Sequence, residues 1–419
     1  MDAVFQAINS ILFFCEGISY GHIARSLIVA NWLKSLNRDI VIACTDKSSS
    51  LFAAEGFKTV SIEIAEPTSI YQRLRQGGMM YTTEDLIAYF TQDDLLIKRF
   101  QPCLIVSEFR FTALQLAKKY GIPSVGMTDA TCHPNFVSDR TVPDPFAKTL
   151  AAPLWLLDFI SQRTKIGEVI NRQTIQKISV SLRQASIAYG LEPLPTFFDY
   201  ASQGDICLLC DRPDLVPIEP LRPGDLYTGA LLWERPEPLP HELSRLDPNK
   251  KTIYVSLGTQ ESLPTDFLKL YVEKLLERDL QAIVSRGKRS FEMPVESKNL
   301  FVFDFVNDSK LLPKINLMVY PGGAMTTYQA LSCGVPLIAL PAHTNQHFYA
   351  EAIARNKLGY FFRPSRLNID KLVRTTLSLL EDSEIHASIK AFQKKLASFD
   401  ARETILRRIE ALLNGAFPT

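Results

Sequence analysis

MVYPGGAMTTYQALSCGVPLIALPAHTNQHFYAEAI, residues 318–353, carries the pattern that decides the fold. A short apolar run ends at Tyr320, and Pro321-Gly322-Gly323 cannot continue it. Helical spacing then runs from about Ala324 to Cys333, until Gly334 and Pro336 stop it and the apolar run VPLIAL (335–340) begins. Two glycines at a strand-to-helix junction let backbone N–H groups approach an anion closely, and the helix dipole favours negative charge at the same end. Thr326 and Thr327 add hydroxyl donors in the first turn. The spacing predicts a diphosphate site that needs no metal ion.

Outward from this stretch, the same alternation fills the chain. Apolar runs at 252–257, 280–285, 299–303, 316–320, 335–340 and 359–362 surround it, and 11–15, 40–44, 59–64, 103–106, 123–127 and 206–210 precede it. Segments with helical spacing lie between them. Strands that are apolar throughout and separated by helices imply parallel sheets covered on both faces, an α/β architecture. Eight prolines between 213 and 248 mark a connector, because proline continues neither a helix nor a central strand. We therefore expect an N-terminal Rossmann-like domain over 1–215, a proline-rich linker over 216–250 and a second Rossmann-like domain over 251–400. A C-terminal helix over 401–419 is expected to pack back on the first domain.

Composition narrows the function. A net charge of +1 leaves no basic surplus for a nucleic-acid partner. Seven scattered cysteines fit a reducing cytoplasm rather than a disulfide framework. Cys207 and Cys210 form a single C-x-x-C inside ICLLC, which reads as a buried strand rather than a zinc or redox site. The N-terminal stretch has no basic leader, and no apolar run approaches the roughly 20 residues that cross a bilayer. The segment 147–162, AKTLAAPLWLLDFISQ, is unusually apolar for an insertion. It reads either as a helix packed into the core or cleft, or as a surface that meets a lipophilic acceptor or a membrane from one side.

The stretch 318–353 resembles the donor-binding signature of nucleotide-sugar glycosyltransferases related to the macrolide and UDP-glucuronosyl transferases. That signature reads His-Gly-Gly-x-x-Thr, an acidic or amide residue before Ala-Leu, Gly-x-Pro, and later Asp-Gln or Asn-Gln. The resemblance implies the GT-B fold, two Rossmann-like domains facing a cleft, with a nucleoside diphosphate sugar as co-substrate and no cofactor. It assigns Gly322, Gly323 and Thr326 to the diphosphate, Gln329 to the ribose hydroxyls, and Asn345 and Gln346 to the hydroxyls of the donor sugar. Gly258 and Thr259, in SLGTQ, fall in the loop that closes over the phosphates, and the backbone of Phe305 and Val306 falls where the base pairs. One position departs: Pro321 stands where the family has a His that donates to the phosphate. A charge-assisted hydrogen bond of that kind is worth about 1.5–3 kcal/mol. Arg286, in VSRGKRS, replaces that donor if it faces the cleft; otherwise it is a solvated loop residue.

In the first half, the run ending at Cys15 leads into EGISYGHIARSL, where Gly17 and Gly21 permit a tight loop and His22 opens a helix. This is the carboxyl-end crevice of a parallel sheet, where ligands bind. Alone, His22 reads as a helix-start or surface residue. The loop resembles the Gly-His-x-x-Arg/Pro segment whose His is the general base, a role a neutral imidazole can fill near pH 7. Glu108, in SEFRF, takes the place of the orienting Asp of related bacterial enzymes; its alternative is a salt bridge with Arg110 or Arg25. Gly21 and His133 are assigned to the acceptor site. His343 and His347 lie four apart with no third ligand in view, so no metal site is expected. The expected reaction is an inverting transfer from a UDP- or dTDP-type sugar to a hydroxyl of a small lipophilic acceptor. A silent homologue acting as an activator protein and a sugar-nucleotide epimerase are the alternatives.

Overall fold

The computed structural model describes residues 9–136, 141–150, 153, 155–157, 159, 166–258, 264–287, 289, 293 and 297–415. The chain forms two compact units, one reaching to Leu231 and joined by the stretch from Asp400, the other running from Leu232 to Phe399.

The first unit is built on β1 (Ser10–Cys15), β2 (Asp39–Cys44), β3 (Lys58–Ser61), β4 (Leu104–Glu108), β5 (Ser124–Thr128), β6 (Ile206–Leu209) and β7 (Asp225–Tyr227). They pair in parallel in the order β3-β2-β1-β4-β5-β6-β7. β1 and β4 are buried along their whole length, as their unbroken apolar runs require. The strand order reverses between β1 and β4, and a parallel sheet opens a crevice beyond the carboxyl ends of its strands at such a switch. The register sets Cys15 beside Glu108, so the loop after β1 and the end of β4 meet there. Helices α1 (Tyr20–Leu33), α2 (Thr83–Phe100) and α3 (Phe111–Tyr120) cover the sheet. A reciprocal capping box between Thr82 and Asp85 fixes the start of α2.

The second unit holds β8 (Thr252–Ser256), β9 (Gln281–Ser285), β10 (Leu300–Phe303), β11 (Leu317–Tyr320), β12 (Leu337–Ala339) and β13 (Gly359–Phe361), all parallel in the order β10-β9-β8-β11-β12-β13. Its switch point lies between β8 and β11. Helix α4 (Ala324–Ser332) follows β11 and α5 (Thr344–Arg355) follows β12. The last helix, α6 (Arg402–Leu413), buries Ile405, Ile409 and Leu412 and packs on α1.

Each apolar run marked in the sequence forms a strand. The short strand β7 was not marked, because it lies in the proline-rich stretch read as connector. Its three residues follow Pro223-Gly224 and are too few to show alternation. All seven cysteines are free, and burial pushes the Cys207 thiol up to about 12. In the insertion between β5 and β6, Leu157 is buried with Val142, Phe146 and Ile175, whereas Trp155, Phe159 and Leu150 are exposed. Among the described residues of that insertion, some apolar side chains are thus buried and others exposed. Among the described residues, no helix is long and apolar enough to cross a membrane.

Gly126, in the middle of β5, tests the packing of the first sheet. A Cβ there would lie 2.1 Å from the Gln203 carbonyl oxygen, a backbone atom that cannot swing aside. Gly126→Ala is expected to lower the stability of the N-terminal unit by about 1–3 kcal/mol in urea unfolding. An unchanged midpoint would contradict this close approach.

Candidate functional site

Ser19 is the N-cap of α1, so His22 lies in the first turn, where the helix leaves the β1 loop. Gly17 makes that loop at φ 65°, a conformation that favours glycine. The His22 Nδ1 atom is 2.7 Å from Glu108 Oε1. Glu108 is fully buried, whereas the His22 side chain keeps 18% of its exposure. Arg25, one turn along α1, donates from Nε to the same oxygen at 2.7 Å. Its Nη1 reaches Asp129 at the end of β5, and its Nη2 pairs with Glu108 and lies 3.0 Å from His22 Nδ1.

Glu108 Oε1 accepts from Nδ1 in one tautomer and Arg25 Nη2 donates to a bare Nδ1 in the other; the Glu108 contact is the shorter, 2.7 Å against 3.0 Å, and on that ground we assign the hydrogen to Nδ1. Nε2 is then the basic nitrogen, and no hydrogen bond occupies it among the described residues. The ring is steadied edge-on against Phe109, with centroids 5.1 Å apart. Phe109 itself adopts φ 59°, an uncommon conformation for a bulky residue, immediately after Glu108.

Arg110, the other candidate partner for Glu108, turns elsewhere. It is buried between Glu16 and Asp93, at 3.1 Å from each, and its guanidinium sits 3.6 Å from the centre of the Tyr89 ring. Burial raises the Glu16 and Asp93 carboxyls, against the pull of the guanidinium. This second cluster roots the β1 loop, through Glu16, on α2. Gly21 lies beside His22, and a Cβ there would meet only Ser19 Oγ, at 3.6 Å.

His133 corrects the sequence reading of an acceptor contact. It is fully buried, its Nε2 lies 3.0 Å from Asp225 Oδ2, and its Nδ1 accepts from the Asn135 N–H at 3.0 Å. Burial raises the Asp225 carboxyl, but His133 and Arg222 outweigh it and bring it down to about 2. His133 therefore holds β7 in the sheet and offers no open face to a ligand.

In the second unit, β11 runs into Pro321, Gly322 at φ 94° and Gly323, the N-cap of α4. No side chain caps this helix. The N–H groups of Ala324, Met325 and Thr326 carry no hydrogen bond among the described residues, and the first helical bond is Thr327 N–H to Gly323 O at 3.0 Å. Gly323 is half-exposed, with no atom within 4 Å of where a Cβ would sit. Thr327 is committed to the fold, donating to Gly323 O at 2.9 Å and meeting the Tyr320 hydroxyl at 2.5 Å. The Thr326 hydroxyl has no such tie and is half-exposed. This turn presents three amides and a hydroxyl at the positive end of a helix, the chemistry that holds a diphosphate.

The neighbouring loops close around it. A Cβ on Gly258 would meet Pro321 Cγ at 3.4 Å, and one on Gly287 would lie 2.7 Å from Gly258 O. Pro321 thus packs against the loop after β8, filling space and donating nothing. Thr259 lies outside the described residues. Arg286 is tied to Asp304, Nε to Oδ1 at 2.8 Å. Gln329 donates from Nε2 to the Trp233 carbonyl at 3.0 Å, which leaves Oε1 as an acceptor. Gln346 is buried and its Oε1 accepts from Ala342 N–H at 2.8 Å, so its side chain braces the loop before α5; Asn345, beside it, is half-buried. Phe305 is exposed and Val306 buried, and neither backbone is hydrogen-bonded among the described residues. Arg25 was read from sequence only as an alternative salt-bridge partner of Glu108, and Asp129 was not assigned a place in the site at all.

Residues 252–403 match the C-terminal domain of glycosyltransferase family 28. Over 406 residues the chain is 25% identical to a PGL/p-HBAD biosynthesis glycosyltransferase of Mycobacterium tuberculosis, covering 95% of this chain and 92% of that one. It is also 25% identical over 376 residues to a PGL/p-HBAD biosynthesis rhamnosyltransferase of Mycobacterium bovis, covering 89% and 81%. Among solved structures, the glycotransferase of kitacinnamycin superposes with a TM-score of 0.70 at 17% identity, over 98% and 99% of the two chains. The glycosyltransferase VinC in complex with DTDP gives 0.64 at 16% identity, over 97% and 100%. These likenesses establish the GT-B fold.

Asp308, two residues beyond Val306, gives this region a pH dependence. Burial pushes its carboxyl up to about 6, against the Tyr254 hydroxyl bonded to it at 2.8 Å and the charge of Arg235. A carboxyl with a higher value folded than unfolded stabilises fully below about pH 4, and the contribution is lost as pH rises through about 6. Asp308→Asn is expected to raise the melting temperature at pH 8 and to leave it unchanged near pH 4. An equal shift at both pH values would contradict this titration.

Proposed function

We propose, from the premise that the chain is a glycosyltransferase of the GT-B fold, that it moves a sugar from a UDP- or dTDP-type nucleoside diphosphate onto a hydroxyl of a small lipophilic acceptor, inverting the anomeric centre and using no metal ion or cofactor. The observation that carries this reading is the 2.7 Å contact of His22 Nδ1 with buried Glu108, which leaves Nε2 bare. An acceptor hydroxyl is a poor nucleophile until its proton is being removed. In the proposed step that proton passes to Nε2 as the oxygen attacks the anomeric carbon, and the carbon–oxygen bond to the diphosphate breaks. Glu108 stabilises the imidazolium that forms, as a triad carboxylate does. The charge released on the diphosphate falls to the amides of Ala324, Met325 and Thr326 and to the Thr326 hydroxyl. With these donors, neutralisation by a metal ion is not required, and the sequence has no Asp-x-Asp at a strand end.

Support for a dTDP donor comes from the neighbour solved with DTDP. Exposed Trp155, Phe159 and Leu150 support a lipophilic acceptor and a peripheral membrane contact. Seven free thiols fit a reducing cytoplasm.

Thermal-shift titration with UDP, dTDP and GDP reads the donor class, because a ligand that binds only the folded state raises its melting temperature. We expect a clear shift with dTDP or UDP and none with GDP. His22→Ala is expected to lower transfer by about 10²–10⁴ while leaving that shift intact, and EDTA to leave the rate unchanged. Full transfer by His22→Ala, or loss of activity in EDTA restored by a divalent cation, would overturn the proposal.

A further inference from the structure

Arg25 lies at the centre of the acceptor-domain site without being open to it. Its side chain is 8% exposed, and its guanidinium spans two carboxylates brought together from the ends of β4 and β5, Glu108 and Asp129. Both of its partners and the imidazole come from different elements, so the cluster forms only when the sheet is assembled. Burial works against the charge of Arg25, but Asp129 and Glu108 outweigh it and hold the guanidinium firmly protonated. One oxygen of Glu108, Oε1, takes every contact, from His22 Nδ1 and from Arg25 Nε and Nη2. The other, Oε2, is buried with no hydrogen-bond partner among the described residues. The carboxylate is therefore pinned through a single atom, and its orientation depends on the guanidinium gripping that atom.

We propose that Arg25 is a positioning residue for the transfer: it ties Glu108 to Asp129 and offsets their charge, so that His22 keeps its hydrogen on Nδ1 and presents Nε2 empty. This rests on the reading of His22 as the base. Without Arg25, the positive charge between Glu108 and Asp129 is gone while Glu108 keeps its contact with the imidazole, and a carboxylate no longer offset by a cation favours the protonated ring. His22 would then hold a second proton and lose its capacity to accept one from the acceptor. The groups that face His22 are Glu108 from β4 and Arg25 from its own helix, with Asp129 from β5 behind the guanidinium. The Cys15 thiol of β1 donates to the His22 carbonyl, and burial keeps it neutral.

The test follows the imidazole directly, so it does not depend on knowing the acceptor. In full-length protein with isotope-labelled histidine, the His22 signal is identified by its loss in His22→Gln and titrated by NMR. Relative to the parent, Arg25→Met is expected to move the His22 midpoint upward by about one pH unit or more. Arg25→Lys, which restores the charge but not the fork, recovers most of the shift, and Asp129→Asn moves the midpoint downward. In transfer assays Arg25→Met lowers kcat far more than it raises KM and displaces the acidic limb of the pH profile in the same direction. If Arg25→Met does not fold, the downward shift in Asp129→Asn carries the test. Midpoints that coincide with the parent in the variants that fold would overturn the role of Arg25. Full transfer by His22→Ala would instead remove the base, whatever the titrations give.

Discussion

A carboxylate buried at the end of a central strand organises the N-terminal unit. Glu108 is fully buried, and an uncompensated buried charge costs several kcal/mol, so the fold must bring donors to it. α1 supplies them, placing His22 and Arg25 one helical turn apart on the face that meets β4. The parallel register that sets Cys15 beside Glu108 delivers the start of α1 there, and α6 braces that helix. Packing, charge pairing and the orientation of the imidazole are in this way one constraint. The second ionic cluster, Glu16–Arg110–Asp93, removes the competing guanidinium and anchors the loop from the other side.

The C-terminal unit solves the opposite problem. Instead of satisfying a buried charge, it leaves backbone donors open at the start of α4, where a side-chain cap would have consumed one. Thr327 and Tyr320 stabilise the turn from within, which lets the amides of Ala324 to Thr326 stay open. Pro321 has no proton to donate, yet it seats the turn against Gly258.

Much of this was legible in the sequence, because it is written in local signals. Apolar runs show buried parallel strands, and Pro-Gly-Gly before a helix shows an uncapped turn. The strand β7 was not legible, since three residues between prolines carry no period. Long-range pairing was only partly so: Glu108 was read with His22 as one choice and with Arg25 as another, and the structure satisfies both through one oxygen. Asp129 joins that cluster from 104 positions along the chain, a separation that no spacing rule reaches. His133 looked like a loop residue near the site because the strand that buries it had not been seen. Gln329 and Gln346 fit the donor signature by position, but one amide group of each is already bonded to the protein's own backbone.

The chemistry proposed for these two units has a stereochemical signature. One base that deprotonates the acceptor, with no nucleophile forming a sugar–enzyme bond, permits only a single displacement at the anomeric carbon. The most direct test is the anomeric configuration of the first product formed from an α-linked nucleotide sugar, read by NMR before any equilibration. A β-linked product is expected. An α-linked product would show that the configuration is retained, and a single displacement driven by His22 could not have produced it.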